Sequence, residues 1–192
     1  MTEKVKNLTT ETLSANWHTL KKITYDFLKK NGTWQKQIRE TYDRGNGAAI
    51  LLYNKEQGTV ILTRQFRLPS FINGNASGML IEVCAGLLDK DNPEDCIKRE
   101  TEEETGYKIA DVKKVFEAYM SPGSVTELLY FFIAAYTASM KVNDGGGIEH
   151  EQEDIEVLEL SFNNALKMIE TGEIKDGKTI MLLQYIKLHN LL

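Results

Sequence analysis

The hydrophobic positions of the chain come mostly in short runs of strand length. Two neighbouring pairs of such runs are joined by short polar connections that contain glycine, and this pattern predicts two β-hairpins. The predicted strands lie at 16–28, 35–42, 48–53 and 59–66, and further ones at 79–84, 112–119, 128–135 and 155–160, with a turn at 85–88.

Three segments change to a helical pattern. The first, 93–105, follows Asn92 as an N-cap, begins with Pro93 and ends before Gly106. Two more helices are predicted at 162–171 and 179–189, the last with an apolar face. Strands with one internal and two late helices predict an α+β fold, arranged as an α/β/α sandwich.

Composition limits the classes of function. The chain has 192 residues, of which 42% are hydrophobic, enough for one sizeable core. A net charge of −5 without a basic block argues against nucleic acid as a partner. No stretch predicts a membrane span or a signal peptide, which favours a cytoplasmic protein. Cys84 and Cys96 lie among apolar neighbours and are expected to be buried, reduced thiols.

The end of the first helix carries an unusual acidic face. Glu100, Glu103 and Glu104 are spaced i, i+3 and i+4, so they share one side where the helix dipole is already negative. No Lys or Arg stands four residues after Glu100 or Glu103 to relieve the repulsion. A solvated acidic surface is one interpretation. The other is a site for Mg²⁺ or Mn²⁺, which prefer oxygen ligands.

The segment around this face, GLLDKDNPEDCIKRETEEETGY at 86–107, resembles the Nudix box. The second half matches well, with Arg99, Glu100, Glu103, Glu104 and Gly106 in place. The first half is one residue shorter than the pattern, and Asp91 or Asn92 stands where a glutamate is expected. In this family that glutamate is mainly a partner for the box arginine.

The resemblance extends along the whole chain, through YDRGNGA at 42–48, RQFR at 64–67, CAGLLD at 84–89, MSPG at 120–123 and GEIKDGKT at 172–179. These segments are similar to the nucleotide-sugar branch of the Nudix hydrolases, above all to enzymes acting on GDP-mannose. The resemblance implies metal-dependent hydrolysis of GDP-mannose to GMP and mannose 1-phosphate. ADP-ribose is the alternative substrate, and a non-catalytic nucleotide-sugar-binding module is a remote alternative.

Family resemblance also implies the domain plan and the partners. Residues 1–45 would form a strand region that pairs with a second subunit, and residues 46–192 would form the Nudix domain with a mixed central sheet. A homodimer follows by analogy, and the ligand would be a small nucleotide sugar, with neither nucleic acid nor membrane as a partner.

The resemblance assigns a role to each matching residue. Ala85 would contribute its backbone carbonyl to Mg²⁺, with Glu100, Glu103, Glu104 and Glu153 as further metal residues, and Mn²⁺ as a substitute. Glu151, on a glycine-rich loop expected to move, falls at the position of the general base. An acidic surface loop is the alternative for 145–157, and His150 is read as a loop residue.

Nine residues are expected to bind the substrate. Arg67 leads them, because a guanidinium can contact two phosphate oxygens at once. Trp17 could stack on the base, although a lone tryptophan is more often part of a core. The full set is Trp17, Arg39, Glu40, Arg67, Gly86, Leu87, Glu127, Gln152 and Lys178.

Overall fold

The computed structural model describes residues 4–148 and 152–192 and divides into two compact units. The first runs to Asn46 and includes Tyr119–Leu128. The second comprises Gly47–Ala118 and Leu129–Leu192. The domain boundary predicted at residue 45 stays a prediction.

The first unit is built on a three-stranded antiparallel sheet of β1 (Val5–Ala15), β2 (Thr19–Leu28) and β3 (Trp34–Asp43). Strand β2 is the centre and pairs with β3 in continuous register from Thr19↔Asp43 to Leu28↔Trp34. The sequence did not predict β1, because its polar residues show no apolar alternation and nearly all of them are exposed. The bend at 16–18 starts β2 three residues later than predicted.

The segment Tyr119–Leu128 is hydrogen-bonded to the end of β3. The Tyr42 amide donates to the Ser124 carbonyl at 2.7 Å, and the Thr126 amide donates back to the Tyr42 carbonyl at 3.1 Å. The Leu128 amide donates to Asn46 Oδ1 at 2.9 Å. This sequence-distant segment therefore belongs to the N-terminal unit.

The second unit contains the strands β4 (Gly47–Asn54), β5 (Thr59–Phe66), β6 (Met79–Glu82), β7 (Cys84–Leu87), β8 (Lys113–Tyr119), β9 (Leu128–Ala135) and β10 (Glu156–Ser161). They form a mixed sheet in the order β10-β5-β4-β9-β8, with β6 added to β5 and β7 added to β4. Strand β4 runs parallel to β9 and antiparallel to β5 and β7.

In the described part of the chain, four α-helices accompany this sheet: α1 (Leu68–Ile72), α2 (Pro93–Thr105), α3 (Phe162–Thr171) and α4 (Gly177–Leu188). Asn92 caps α2 by accepting from the amides of Glu94 and Asp95, as the sequence predicts. The five-residue α1 was not predicted, since one turn leaves no periodic signal. Helices α2 and α4 both contact β4 and bury it. The predicted α+β class and mixed central sheet are thereby confirmed.

The structure corrects one element next to the site. Residues 85–88 were predicted as a turn, but Ala85–Leu87 belong to β7, which pairs with β4 through Ala49↔Ala85. This pairing joins residues far apart in sequence, so no local pattern could reveal it. Cys84 and Cys96 are buried free thiols, as expected. No helix in the described residues is long and apolar enough to span a membrane.

Candidate active site

The acidic end of α2 packs against β7, the strand that carries Ala85. Glu104 is buried there, with only 2% of its surface exposed. Among the described residues, its Oε2 is the one buried side-chain oxygen or nitrogen without a hydrogen-bond partner. A buried carboxylate oxygen without a donor is unfavourable, so this position fits a missing positive ligand.

Gly86 allows the carboxylate of Glu100 to approach β7. A Cβ atom at position 86 would overlap the Glu100 carboxyl group, so only glycine leaves room for it. Glu100 thereby lies against the backbone of β7 at the residue after Ala85. The close approach explains physically why the box begins with glycine.

Burial disfavours the ionisation of both carboxyl groups. It raises the pKa of Glu104 to about 8; the neighbouring Cys84 thiol opposes the shift, while the charges of Glu100 and Glu153 add to it. Burial also raises the pKa of Glu100 to about 7; Arg99 opposes the shift, while the charges of Glu103 and Glu153 support it. A divalent cation would reverse both shifts, because it stabilises the ionised form of each carboxylate.

Arg99 pairs with two of the three glutamates. Arg99 Nη1 donates to Glu103 Oε2 at 2.8 Å, and Arg99 Nη2 lies 3.0 Å from Glu100 Oε1. The repulsion expected on this face is therefore partly offset by an arginine that precedes the cluster rather than by a cation that follows it. Arg99 Nε also lies 3.6 Å from Asp91 Oδ2. Asp91 thus pairs with the box arginine where the usual glutamate is lacking.

The glycine run 145–147 closes the C-terminal end of α2. The amides of Gly146 and Gly147 donate to the carbonyls of Glu104 and Glu103, at 2.9 and 3.1 Å. Gly145, Gly146 and Gly147 have φ values of 67°, 109° and 82°, a left-handed path that disfavours other residues. These hydrogen bonds satisfy helix carbonyls that would otherwise lack donors.

Glu153 lies on the same loop and is partly buried. Its carboxylate accepts the Ile148 amide at 3.0 Å and lies against Gly147, and its charge acts on both Glu100 and Glu104. Gln152 is exposed, with a φ of 61°. The predicted base Glu151 and its neighbour His150 lie outside the described residues.

The acidic site is incomplete as a metal cluster when side chains alone are counted. Within 4–148 and 152–192, no three acidic, histidine or cysteine side chains are grouped closely enough to hold a metal ion. Glu100, Glu104 and the neighbouring Ala85 carbonyl nevertheless supply hard oxygen donors, and Glu104 Oε2 lacks any other partner. The donor chemistry therefore fits a small divalent cation whose shell a substrate and water complete.

Two predicted phosphate-binding cations lie close together in the second unit. Arg67 Nε donates to Glu82 Oε2 at 2.7 Å, and Lys178 Nζ lies 3.3 Å from Glu82 Oε1. Glu82 was absent from the residues predicted from sequence. Its only signal was an acidic residue at the end of an apolar run. Gly86 and Leu87 follow in β7.

The remaining predicted substrate residues lie in the first unit. Trp17 is 83% exposed, so the core interpretation of this residue is wrong. Arg39 and Glu40 are exposed on β3. Glu127 is mostly buried, and its Oε1 lies 3.5 Å from Arg44 Nε.

Comparison with known protein families now adds to this geometry. A family model described as the NUDIX domain matches residues 43–181, which is more than half of the chain. The chain belongs to the Nudix family. This Nudix chain is therefore a metal-dependent pyrophosphohydrolase. A second model, described as the GDP-mannose pyrophosphatase NudK N-terminal domain, matches residues 4–42.

Curated relatives match the Nudix chain along nearly its whole length. A protein of Yersinia enterocolitica is 59% identical over 192 residues and covers all of both chains. One from Yersinia pestis is 60% identical over 189 residues, covering 98% of this chain and 94% of the relative. One from Escherichia coli O1:K1 is 56% identical over 192 residues, all of both chains. Each is named a GDP-mannose pyrophosphatase.

Proposed function

We propose that this Nudix hydrolase cleaves GDP-mannose to GMP and mannose 1-phosphate with Mg²⁺ as its cation. The observation that carries the reaction type is the pair of Glu100, which is partly buried against β7, and Glu104, which is buried with one carboxylate oxygen lacking a partner. The choice of substrate rests on the full-length similarity to enzymes named for GDP-mannose. ADP-ribose is the competing substrate.

Glu100, Glu104 and the Ala85 carbonyl would hold the cation, and Glu103 and Glu153 would support it. All their donor atoms are oxygens, which suits Mg²⁺, with Mn²⁺ as a substitute. When bound, the cation would offset negative charge on the diphosphate as charge develops during hydrolysis. The charge of Arg99 limits the repulsion between Glu100 and Glu103.

The proposed reaction is attack by water on a phosphorus atom of the diphosphate. Glu151, assigned by resemblance, accepts a proton from the water as the new P–O bond forms and the bridging P–O bond breaks. The leaving phosphate oxygen departs with the bond electrons. GMP and mannose 1-phosphate together then contain the atoms of one water molecule and the substrate.

Arg67 and Lys178 are proposed to bind the diphosphate, because two cations beside one shared carboxylate can contact adjacent phosphate oxygens. Gly86, Leu87 and Gln152 are proposed as further substrate contacts. Trp17, Arg39, Glu40 and Glu127 keep the roles that the family resemblance gave them. The homodimer and the cytoplasmic location also stay predictions, and light scattering of the purified protein tests the dimer.

A product assay tests the proposed function. The protein with Mg²⁺ is given equal concentrations of GDP-mannose, ADP-ribose, GDP-glucose and UDP-glucose, and nucleoside monophosphates are separated by chromatography. We expect GMP to form fastest from GDP-mannose and its formation to stop with EDTA. If AMP is released faster from ADP-ribose, the preferred substrate is ADP-ribose and the proposed mechanism is unchanged. No product from any of the four would overturn the proposal.

A further inference from the structure

Glu82 is a buried carboxylate whose two oxygens each lie beside a different cation. Only 3% of its surface is exposed. Oε2 accepts from Arg67 Nε at 2.7 Å, and Oε1 lies 3.3 Å from Lys178 Nζ. Arg67 and Lys178 are 111 positions apart in sequence. One side chain therefore brings together two positive charges that would otherwise repel each other.

The contact with Glu82 orients the Arg67 guanidinium. Arg67 donates from Nε, and within the described residues its two terminal nitrogens donate to no protein acceptor. A guanidinium is planar and rigid, so fixing Nε also fixes the direction of both terminal nitrogens. The Arg67 side chain is 41% exposed, so this end is accessible to two oxygens of a phosphate group.

Lys178 is held from two sides. Its Nζ donates to Asp176 Oδ1 at 2.6 Å, in addition to its contact with Glu82. Burial would lower the pKa of Lys178, but the charges of Glu82 and Asp176 outweigh burial and raise it. The ammonium group is thus kept charged although only 19% of its side chain is exposed.

The backbone around Glu82 is fixed as well. Thr179 is fully buried, and its hydroxyl oxygen accepts the Val83 amide at 2.8 Å. Asp176 Oδ2 in turn accepts the Thr179 amide at 2.9 Å and the Thr179 hydroxyl at 2.7 Å. This chain of hydrogen bonds ties the residue after Glu82 to the start of α4. The backbone beside Glu82 is therefore held to the helix that carries Lys178.

We infer that Glu82 is a positioning residue, which holds Arg67 and Lys178 as a preorganised pair for the diphosphate of the substrate. The inference rests on the proposed function for the identity of that substrate. Without the carboxylate, the two cations repel each other and Arg67 loses its fixed orientation. Binding of the diphosphate then requires ordering both side chains again, which lowers affinity.

The decisive test is a double-mutant cycle with Glu82→Gln and Arg67→Ala. We expect Glu82→Gln to raise KM for GDP-mannose about tenfold or more while kcat changes less, the pattern of lost ground-state binding. Because Glu82 acts through Arg67, the double variant should be little worse than Arg67→Ala alone. Glu156→Gln is the matched control, since it removes the carboxylate on β10 that pairs with the exposed Arg64 of β5.

Calorimetric binding of inorganic pyrophosphate gives a readout independent of turnover. Wild-type protein should bind pyrophosphate more tightly than Glu82→Gln, and Glu156→Gln should match wild type. If wild type binds pyrophosphate more tightly than Glu82→Gln but releases no GMP from GDP-mannose, the proposed substrate is wrong while the role of Glu82 stands. Glu82→Asp keeps the charge, so it should recover part of the affinity for pyrophosphate. It is also the variant to measure if Glu82→Gln does not fold.

Two results would overturn the inference. One is strictly multiplicative losses in the cycle, which would show that Glu82 and Arg67 act independently. The other is a folded Glu82→Gln protein with unchanged KM and unchanged pyrophosphate affinity. Either result would leave Glu82 with a purely structural role between β6 and α4.

Discussion

Glu82 and Glu104 are two buried carboxylates of the same compact unit, yet their surroundings differ completely. Glu82 is 3% exposed and lies between two cations, while Glu104 is 2% exposed and has an oxygen without a partner in the described structure. A buried negative charge is tolerated only when positive groups or donors surround it. In the described residues two cations neutralise Glu82, whereas only the Cys84 thiol and the charge of Arg67 oppose the burial of the Glu104 charge.

The difference indicates two roles. Glu82 holds side chains of the protein in place, whereas Glu104 is suited to bind a cation. The charge of Glu82 is neutralised by residues of the chain itself, so its removal should disturb folding and substrate affinity. The charge of Glu104 is penalised by burial and by Glu100, which raises its pKa to about 8. Its removal should affect catalysis and spare the metal-free fold.

The largest expected effect is the loss of turnover in the Glu104→Gln variant. We expect turnover to fall roughly a thousandfold, because a cation's charge stabilisation contributes several kcal/mol and each ~1.4 kcal/mol is a factor of ten. Steady-state product release with Mg²⁺ measures this. Glu102→Gln is the control, since Glu102 pairs with Lys108 at 3.4 Å away from the site, and it should retain near wild-type turnover.

The next largest loss of activity is expected for Gly86→Ala. The added Cβ would overlap the Glu100 carboxyl group and displace it from β7, so we expect activity to fall about 10- to 100-fold, as when a supporting contact of a metal ligand is lost. Gly123→Ala is the matched control, because a Cβ there meets nothing within 4 Å. Equal activity of the two variants would contradict the close approach that the structure shows.

Stability without metal should distinguish the two carboxylates directly. Glu82→Gln leaves Arg67 and Lys178 without their shared partner, and we expect a loss of roughly 1–3 kcal/mol in the free energy of unfolding. Glu104→Gln should be as stable as wild type or more stable, since it removes a penalised buried charge. Urea titrations in EDTA measure both. The reverse order would refute the comparison.

The pH dependence of that stability has a defined sign. In the folded, metal-free protein the pKa values of Glu104 and Glu100 are about 8 and about 7, against an ordinary 4.5. Between pH 4.5 and about pH 8, the folded state binds more protons than the unfolded state. The contribution of Glu104 and Glu100 to stability therefore falls as the pH rises through this window. Glu104→Gln or added Mg²⁺ should flatten the slope in urea titrations across the window. An unchanged slope in both would argue against the pKa shifts.

Asp91→Asn should have the smallest effect. The Asp91 and Arg99 side chains are both largely exposed and their charged atoms lie 3.6 Å apart. Exposed pairs contribute only about 0.2–1 kcal/mol, and Arg99 keeps Glu103 and Glu100 as partners. Thermal unfolding and the activity assay should both stay close to wild type. A large loss of activity would show that Asp91 replaces the family's missing glutamate in function as well as position.

Local sequence patterns predicted most of the fold. The hairpin of β4 and β5 and the helix α2 each have periodicity, turn residues or caps within a few positions, so their signals are local. Strand β1 and helix α1 were missed. The first has no apolar alternation and the second is a single turn of five residues.

The candidate site was only partly predictable. The i, i+3, i+4 spacing placed Glu100, Glu103 and Glu104 on one helix face, and the family resemblance supplied their proposed roles. The spacing could not show that Glu103 pairs with Arg99 whereas Glu104 is buried without a partner. That difference depends on the packing of α2 against β7.

The sequence by itself determined most of the elements, the acidic helix face and the family, because caps, periodicity and motif spacing are local properties of the chain. Only the tertiary structure decided which charges are satisfied. Glu82, Arg67 and Lys178 meet because β5, β6 and α4 converge, and Glu100 lies against Gly86 because α2 packs on β7. Burial and charge pairing depend on contacts between distant segments, and such contacts exist only after folding.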